Sequence, residues 1–290
     1  MKTIKNLIIT LVVVVAILGV VIIGGYIYVR TTYDIDLFRT AGQLKTLTQA
    51  VDETALCPDA FGEEDFAAMK TELNKKFDGF VSHEEGKGFN GYSVNFDALD
   101  EKVTTDMISL TEKQVGAVVQ TVFFAQTSGK LKIGEKDVSV TIVQIDFSEI
   151  AANGSADFNV VAKIDLTPFK ADMGDFPYKL FKKYIPDNFY VSSTIRIDKT
   201  ELEGFDYKVS HKSLTLNNLS ADDTADLFDT LNAVLKIGTA ENLNMQVGTM
   251  VVNALIGTKD NPGFAYSMKA IGAKDFMFTT SANADRFIVN

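Results

Sequence analysis

Alternation is the clearest pattern in this chain. Between Ala156 and Leu166, the apolar residues Phe158, Val160, Ala162, Ile164 and Leu166 share one parity, and Asp157, Asn159, Lys163 and Asp165 share the other. Between Phe189 and Asp198, Phe189, Val191, Ser193, Ile195 and Ile197 alternate with Tyr190, Ser192, Thr194, Arg196 and Asp198. A strand turns successive side chains to opposite faces, so a period of two with one polar set predicts half-buried antiparallel strands. Val138–Phe147 starts in one phase (Val138, Val140, Ile142) and ends in the other (Val143, Ile145, Phe147), which predicts a bulge near Ile142 and a bent sheet. Shorter strands are predicted at 80–83 and 91–96 around a glycine-rich turn. Others are predicted at 203–210 paired with 212–217, and at 264–268, 275–280 and 286–289.

Helical spacing accounts for much of the remainder. Leu37, Ala41, Leu44 and Val51 mark a helix over 36–52, and Phe66, Met69, Leu73 and Phe77 one over 63–77. Thr111-Glu112-Lys113-Gln114 is a capping box, opening a helix that carries Val115, Val118, Val119, Val122 and Phe123 to about Gln126. A short amphipathic helix is predicted over 176–185, stopped by Pro186, and further helices at 220–235 and 243–256. The segments QVGAVVQTVF (114–123) and QVGTMVVNAL (246–255) echo each other. A duplication of one helix-plus-sheet unit and a coincidence both account for that echo.

One stretch breaks both patterns. Leu7 to Val29 is twenty-three residues without a charge, about 34 Å as a helix and so long enough for a hydrocarbon core of about 30 Å. It ends in Tyr26, Tyr28 and Arg30 rather than in a small-residue cleavage site, so the expectation is an uncleaved anchor. Lys2 and Lys5 precede it and Asp34 and Asp36 follow, which puts the N-terminus in the cytoplasm and residues 31–290 outside the cell membrane. The predicted class is α+β: an N-terminal transmembrane helix, then an ectodomain of curved antiparallel sheet packed against helices. Its expected divisions are a stub and anchor (1–30), a helical membrane-proximal region with a short hairpin (31–105), and a curved-sheet and helix domain (106–290).

Charge and rare residues narrow the chemistry. Residues 31–290 hold 25 of the 28 Lys+Arg and all 38 Asp+Glu, a formal charge of −13. Such a surface repels nucleic acid, which is not an expected partner. Cys57 is the only cysteine, so no internal disulfide forms, and its predicted role is a small apolar plug. His83 and His211 are the only histidines and lie far apart, so no metal site and no His-based acid–base site is expected. The GKGFNG run (86–91) lacks the ending of a phosphate loop and reads as a turn. No G-x-S-x-G, S-x-x-K or H-E-x-x-H is present. The chain is therefore expected to be no enzyme and to need no cofactor.

Leu110–Gln114 opens a helix, Tyr190–Ile197 reads YVSSTIRI, and Leu214–Leu219 reads LTLNNL and leads into a helix. In this order behind a single span, the chain resembles the single-span bacterial proteins of the tubular lipid-binding (TULIP-like) type over about residues 110–257. The resemblance implies a curled sheet wrapped on a helix with an apolar groove for acyl chains, and leaves 31–102 unaccounted for. The apolar strand face would line such a groove with Phe158, Val160, Ile164, Val191, Ile195 and Ile197, and the covering helix with Val118 and Val122. A fully packed core uses the same residues, because both require the same alternation. Two functions are thus expected of a membrane-tethered extracytoplasmic protein. One is binding a lipid or other apolar ligand in a sheet–helix groove; the alternative is a non-enzymatic structural or protein-interaction module of a cell-envelope assembly.

Overall fold

A computed structural model of the 290-residue chain describes residues 37–99, 108–133, 136–168, 186–201, 203–235, 238–281 and 284–290. The expected anchor at 7–29 and the amphipathic stretch at 176–185 lie outside the described residues. Among those described, no helix is long and apolar enough to cross a membrane.

The period-two segments form one antiparallel sheet in chain order: β4 (Lys130–Ile133), β5 (Lys136–Ser148), β6 (Ala156–Asp165), β7 (Asn188–Lys199) and β8 (Tyr207–Leu216). A hairpin, β1 (Val81–His83) with β2 (Tyr92–Val94), precedes it. A smaller sheet is ordered β3 (Ile108–Thr111), β10 (Ala284–Val289), β9 (Phe276–Ser281). The expected bulge is present: Ile142 pairs with Ala162 and Gln144 with Val161, leaving Val143 as the extra residue. Ile142, Ile145 and Phe147 face the main core, whereas Val143 packs on the opposite side of the sheet.

Two helices cover the inner face. The capping box is formed, Thr111 Oγ1 accepting from the Gln114 N–H and Gln114 Oε1 from the Thr111 N–H, and it starts α4 (Glu112–Thr127). This helix lies against β5, and α6 (Ala240–Leu255) lies against β7 and β8 and touches α4. The two echoing segments are these two helices, and their matched glycines both sit at close contacts. A Cβ on Gly248 would stand 2.5 Å from Cγ2 of Ile195, and one on Gly116 would stand 2.3 Å from the Phe61 ring. Glycine inside a helix costs about 1 kcal/mol relative to alanine, and here it allows backbone to press directly onto side chains. On the far side the small sheet brings Phe278 against Phe147 (ring centroids 4.9 Å) and Phe158 (6.1 Å).

The segment before residue 105 contributes α1 (Leu37–Leu47), α2 (Glu53–Leu56) and α3 (Glu63–Asn74). Leu47, Phe66, Met69, Leu73 and Phe80 belong to the same apolar cluster as the strands and helices after residue 105. The α3 helix stops at Asn74, three residues short of expectation, because the Asn74 side chain accepts from the Val81 N–H (2.7 Å) and donates to the Val81 carbonyl (2.8 Å). Helix α5 (Ala221–Leu235) follows Ser220, whose hydroxyl accepts from the Asp223 N–H.

Two expectations are corrected. Residues 203–210 and 212–217 do not pair with each other: Tyr207–Leu216 is one strand with a bulge at Lys212, since Ser213 pairs with Thr194 and His211 with Ile195. The phase change at that bulge imitates a turn. The predicted strand at 264–268 is instead a short helix, α7 (Phe264–Ser267), running into a 3-10 turn at Met268–Ile271. Phe264, Ala265, Met268 and Ile271 are all buried, a helical spacing that a five-residue window does not separate from alternation.

The β5 bulge is held from within. Gln120, buried on α4, accepts from the Ile142 N–H at 2.8 Å. Gln120→Leu leaves that donor without an acceptor, so chemical denaturation should show a loss of about 1–3 kcal/mol; an unchanged midpoint would remove Gln120 from this role.

Candidate functional site

All eight residues expected to line a groove converge. Val118 and Val122 on α4, Phe158, Val160 and Ile164 on β6, and Val191, Ile195 and Ile197 on β7 belong to one cluster. Val118, Phe158, Val160, Ile195 and Ile197 are 0% exposed, and the other three are at most 5% exposed. An internal void large enough for water would show as exposed surface on its walls. The space between sheet and helices is therefore filled, in this conformation, by the protein's own side chains.

Several buried polar groups within this layer are paired across it, while Gln246 Oε1 on α6 and Thr224 Oγ1 on α5 are buried without a partner among the described residues. Ser193 Oγ donates to Asn244 Oδ1 at 2.6 Å, and the Asn244 amide nitrogen donates to the Thr194 carbonyl (2.8 Å) and to Nδ1 of His211 (2.7 Å). This network pins α6 to β7 and β8 and sets Nδ1 of His211 as an acceptor. A buried Lys199–Asp275 pair (2.5 Å) ties β7 to the start of the small sheet, with the Gly204 N–H also donating to Asp275. Asn217 (φ 49°) ends β8, accepting from the Tyr190 N–H at 2.7 Å and donating to the Leu47 carbonyl at 2.7 Å. Asn218 reaches the Gln49 and Ala50 carbonyls. The LTLNNL stretch thus fastens the end of α1 to the sheet. Arg39 of the same helix pairs with Asp226 and, at 3.8 Å, with Asp223 on α5.

Outside the core, the other face of the sheet carries a small apolar patch and a charge lattice. Cys57, Val161 and Tyr190 are buried together there with Val51, Leu56 and Val143 around them. Burial pushes the Cys57 thiol up to about 11, with Glu53 and Asp146 acting in the same direction. Arg196 pairs with Asp157 (3.2 Å) and Asp198 (3.0 Å), and Lys163 pairs with Glu53 (3.1 Å). Among the described residues, no group of three or more His, Cys, Asp or Glu is arranged to hold a metal ion.

Among the described residues, two concave surfaces lie away from the predicted groove. The larger, a half-open cleft of about 630 Å³, runs between the β1–β2 hairpin and the last turn of α4, with Ser82, His83, Asn90, Tyr92, Ser93 and Phe124 in its lining. His83 stacks on Tyr92 (centroids 4.2 Å, 25°), and its Nε2 donates to the Gly88 carbonyl at 3.1 Å. The GKGFNG run is the expected turn, with Gly86 and Gly88 at φ 82° and 52°. Beside Asn90 in the chain, Phe89 is 37% exposed and stacks on Phe66 at 5.7 Å. The second concavity, about 450 Å³, is bounded by Thr111, Glu112, Lys113, Ala284 and Asp285. Burial pushes the Glu112 carboxyl above its ordinary value; the Phe147 N–H donated to it opposes this, and Asp146, Asp285 and Asp59 reinforce it.

The sequence located the eight converging apolar residues but not the cleft or the polar staples. Gln120 and Asn244 carried one legible signal, a polar side chain within an apolar helix run; the cleft carried only the turn. No family model matches the chain, and no curated protein and no solved structure matches it either. What the described residues define is an architecture: α+β, antiparallel sheets packed against helices, with a filled sheet–helix layer and a cleft of about 630 Å³ on its flank.

Native Cys57 should resist iodoacetamide at pH 8 and react once the chain is unfolded in urea; rapid native labelling would contradict its burial and raised pKa. For Glu112, a folded-state pKa above the ordinary 4.5 means stability that is present at low pH and lost as pH rises through the folded value. Relative to Glu112→Gln, which keeps an acceptor for Phe147, the native chain should gain stability in urea melts as pH is lowered from neutrality toward 4.5; a gap independent of pH would refute the shift.

Proposed function

We propose that this chain is a membrane-tethered, extracytoplasmic module that acts by binding rather than by catalysis, and that its partner meets the outside of the fold. The tether is the apolar run at residues 7–29, and the acidic body faces the cell envelope. One observation carries the reading: the sheet–helix layer is closed by its own side chains, with Val118, Phe158, Val160, Ile195 and Ile197 out of reach of even a water molecule. That supports the role of an interaction module in an envelope assembly over that of a carrier holding its cargo inside. The body is also braced to its own membrane-proximal helix through Arg39, Leu47 and the Asn217–Asn218 pair, which suits a part that presents one fixed surface.

A lipid held between sheet and helices is the second reading. It is favoured by the largely apolar face from β5 to β8, interrupted at Ser193 and His211, and by the tubular lipid-binding resemblance, and it requires α4 and α6 to move off the sheet.

Native mass spectrometry of the detergent-extracted protein tests both halves. The expected result is a chain of 31.8 kDa, anchor retained, with no co-purifying acyl species. A form beginning beyond Arg30 would overturn the tether. A bound acyl species present in the native chain and absent in a folded Ile164→Trp variant would overturn the filled interior and establish the lipid reading.

A further inference from the structure

The flank cleft has a chemistry of its own. Its volume of about 630 Å³ falls in the usual range for small-ligand sites, about 300–1,000 Å³. We propose that this cleft, between the β1–β2 hairpin and the C-terminal turn of α4, binds a neutral saccharide of two or three sugar units. The proposal deepens the reading of the chain as a binding module with a filled interior, and rests on it.

Charge is the first argument. Glu84 and Lys87 at the cleft pair with each other at 2.8 Å, so a ligand of either sign meets a charge that is already neutralised. The formal charge of −13 on residues 31–290 adds a bias against polyanions.

Hydrogen-bonding capacity is the second. Ser82 Oγ and Ser93 Oγ lie 2.7 Å apart across the hairpin and share one proton, which leaves the second hydroxyl proton and spare lone pairs to a ligand. With Nε2 of His83 donating to Gly88, Nδ1 of that ring is an acceptor. The exposed Asn90 amide supplies both a donor and an acceptor. A sugar hydroxyl both donates and accepts, and these short side chains match it.

Aromatic surface is the third. The His83 ring is backed by buried Tyr92, and Phe124 lines the cleft from the helix side. The weakly positive C–H face of a pyranose lies well on a negative π face, whereas an acyl chain would leave the hydroxyls and amide without partners. An extended peptide recognised by strand addition needs a longer edge than the three residues of β1 or β2.

Saturation-transfer NMR on the full chain in deuterated detergent, with maltotriose and with the trisaccharide of N-acetylglucosamine as separate probes, decides the matter. Expected is transfer to the C–H protons of at least one probe, reduced about tenfold by His83→Ala and by Ala125→Arg. The latter sends a long side chain from the exposed last turn of α4 into the cleft without touching the core. Because His83 touches the hairpin, folding of both variants is checked by their amide spectra, and Ala125→Arg stands as the second, core-neutral block. No transfer from either probe, or transfer unchanged in a folded Ala125→Arg variant, overturns the proposal. Transfer to tetra-alanine in place of both saccharides also overturns it, in favour of a peptide. Failure here with an empty interior by mass spectrometry removes only the saccharide; a bound acyl species removes the underlying reading.

Discussion

The inner face of the five-stranded sheet has to be covered, and two helices pressed close enough to exclude water do it. Every strand from β5 to β8 presents a row of Val, Ile, Leu or Phe to that side, and each such side chain gains roughly 1.5–3 kcal/mol when removed from water. The gain depends on close contact, because a gap of less than one ångström already forfeits much of the dispersion energy. Gly248 against Ile195 and Gly116 against Phe61 mark where the helix backbone itself had to come near. The filling of the sheet–helix layer is a direct consequence of that proximity.

Polar groups caught in the same layer decide which of several close-packed arrangements is adopted. A buried hydrogen-bonding group without a partner costs about 1–3 kcal/mol, so each one selects the register that satisfies it. Gln120 selects the position of α4 along the β5 bulge, and Asn244 selects that of α6 along β7 and β8. Asn217 does the same for the end of α1. The Lys199–Asp275 pair is a different case. Its burial carries a desolvation cost that its attraction only partly offsets, so its effect lies in fixing β7 against the small sheet more than in net stability.

A filled interior moves attention to the surface, and the surface is uneven. The outer face of the sheet is laced with paired charges such as Arg196–Asp157 and Lys163–Glu53, each already satisfied within the chain. The hairpin flank differs. There a stacked His83–Tyr92 pair and two facing serines border open volume, with the exposed Phe89 next to Asn90 in the chain. Among the described residues, this cleft lies in the segment nearer in sequence to the predicted tether.

By itself the sequence determined those features that depend on near neighbours. Period-two alternation gave β6 and β7, a phase slip gave the bulge at Val143, and Thr111–Gln114 gave the start of α4, since each is set by side-chain direction within a few residues. The same locality explains the misses: the Lys212 bulge looked like a turn, and the buried face of α7 looked like a short strand. Only the tertiary structure decided whether the eight converging apolar residues enclose a void or fill it. Alternation records which side of a strand avoids water, and the distance to the opposing helix is written in contacts such as Gly248 to Ile195, more than fifty residues apart in the chain. The cleft was decided there too, because the hairpin and the end of α4 meet only once the core between them is packed.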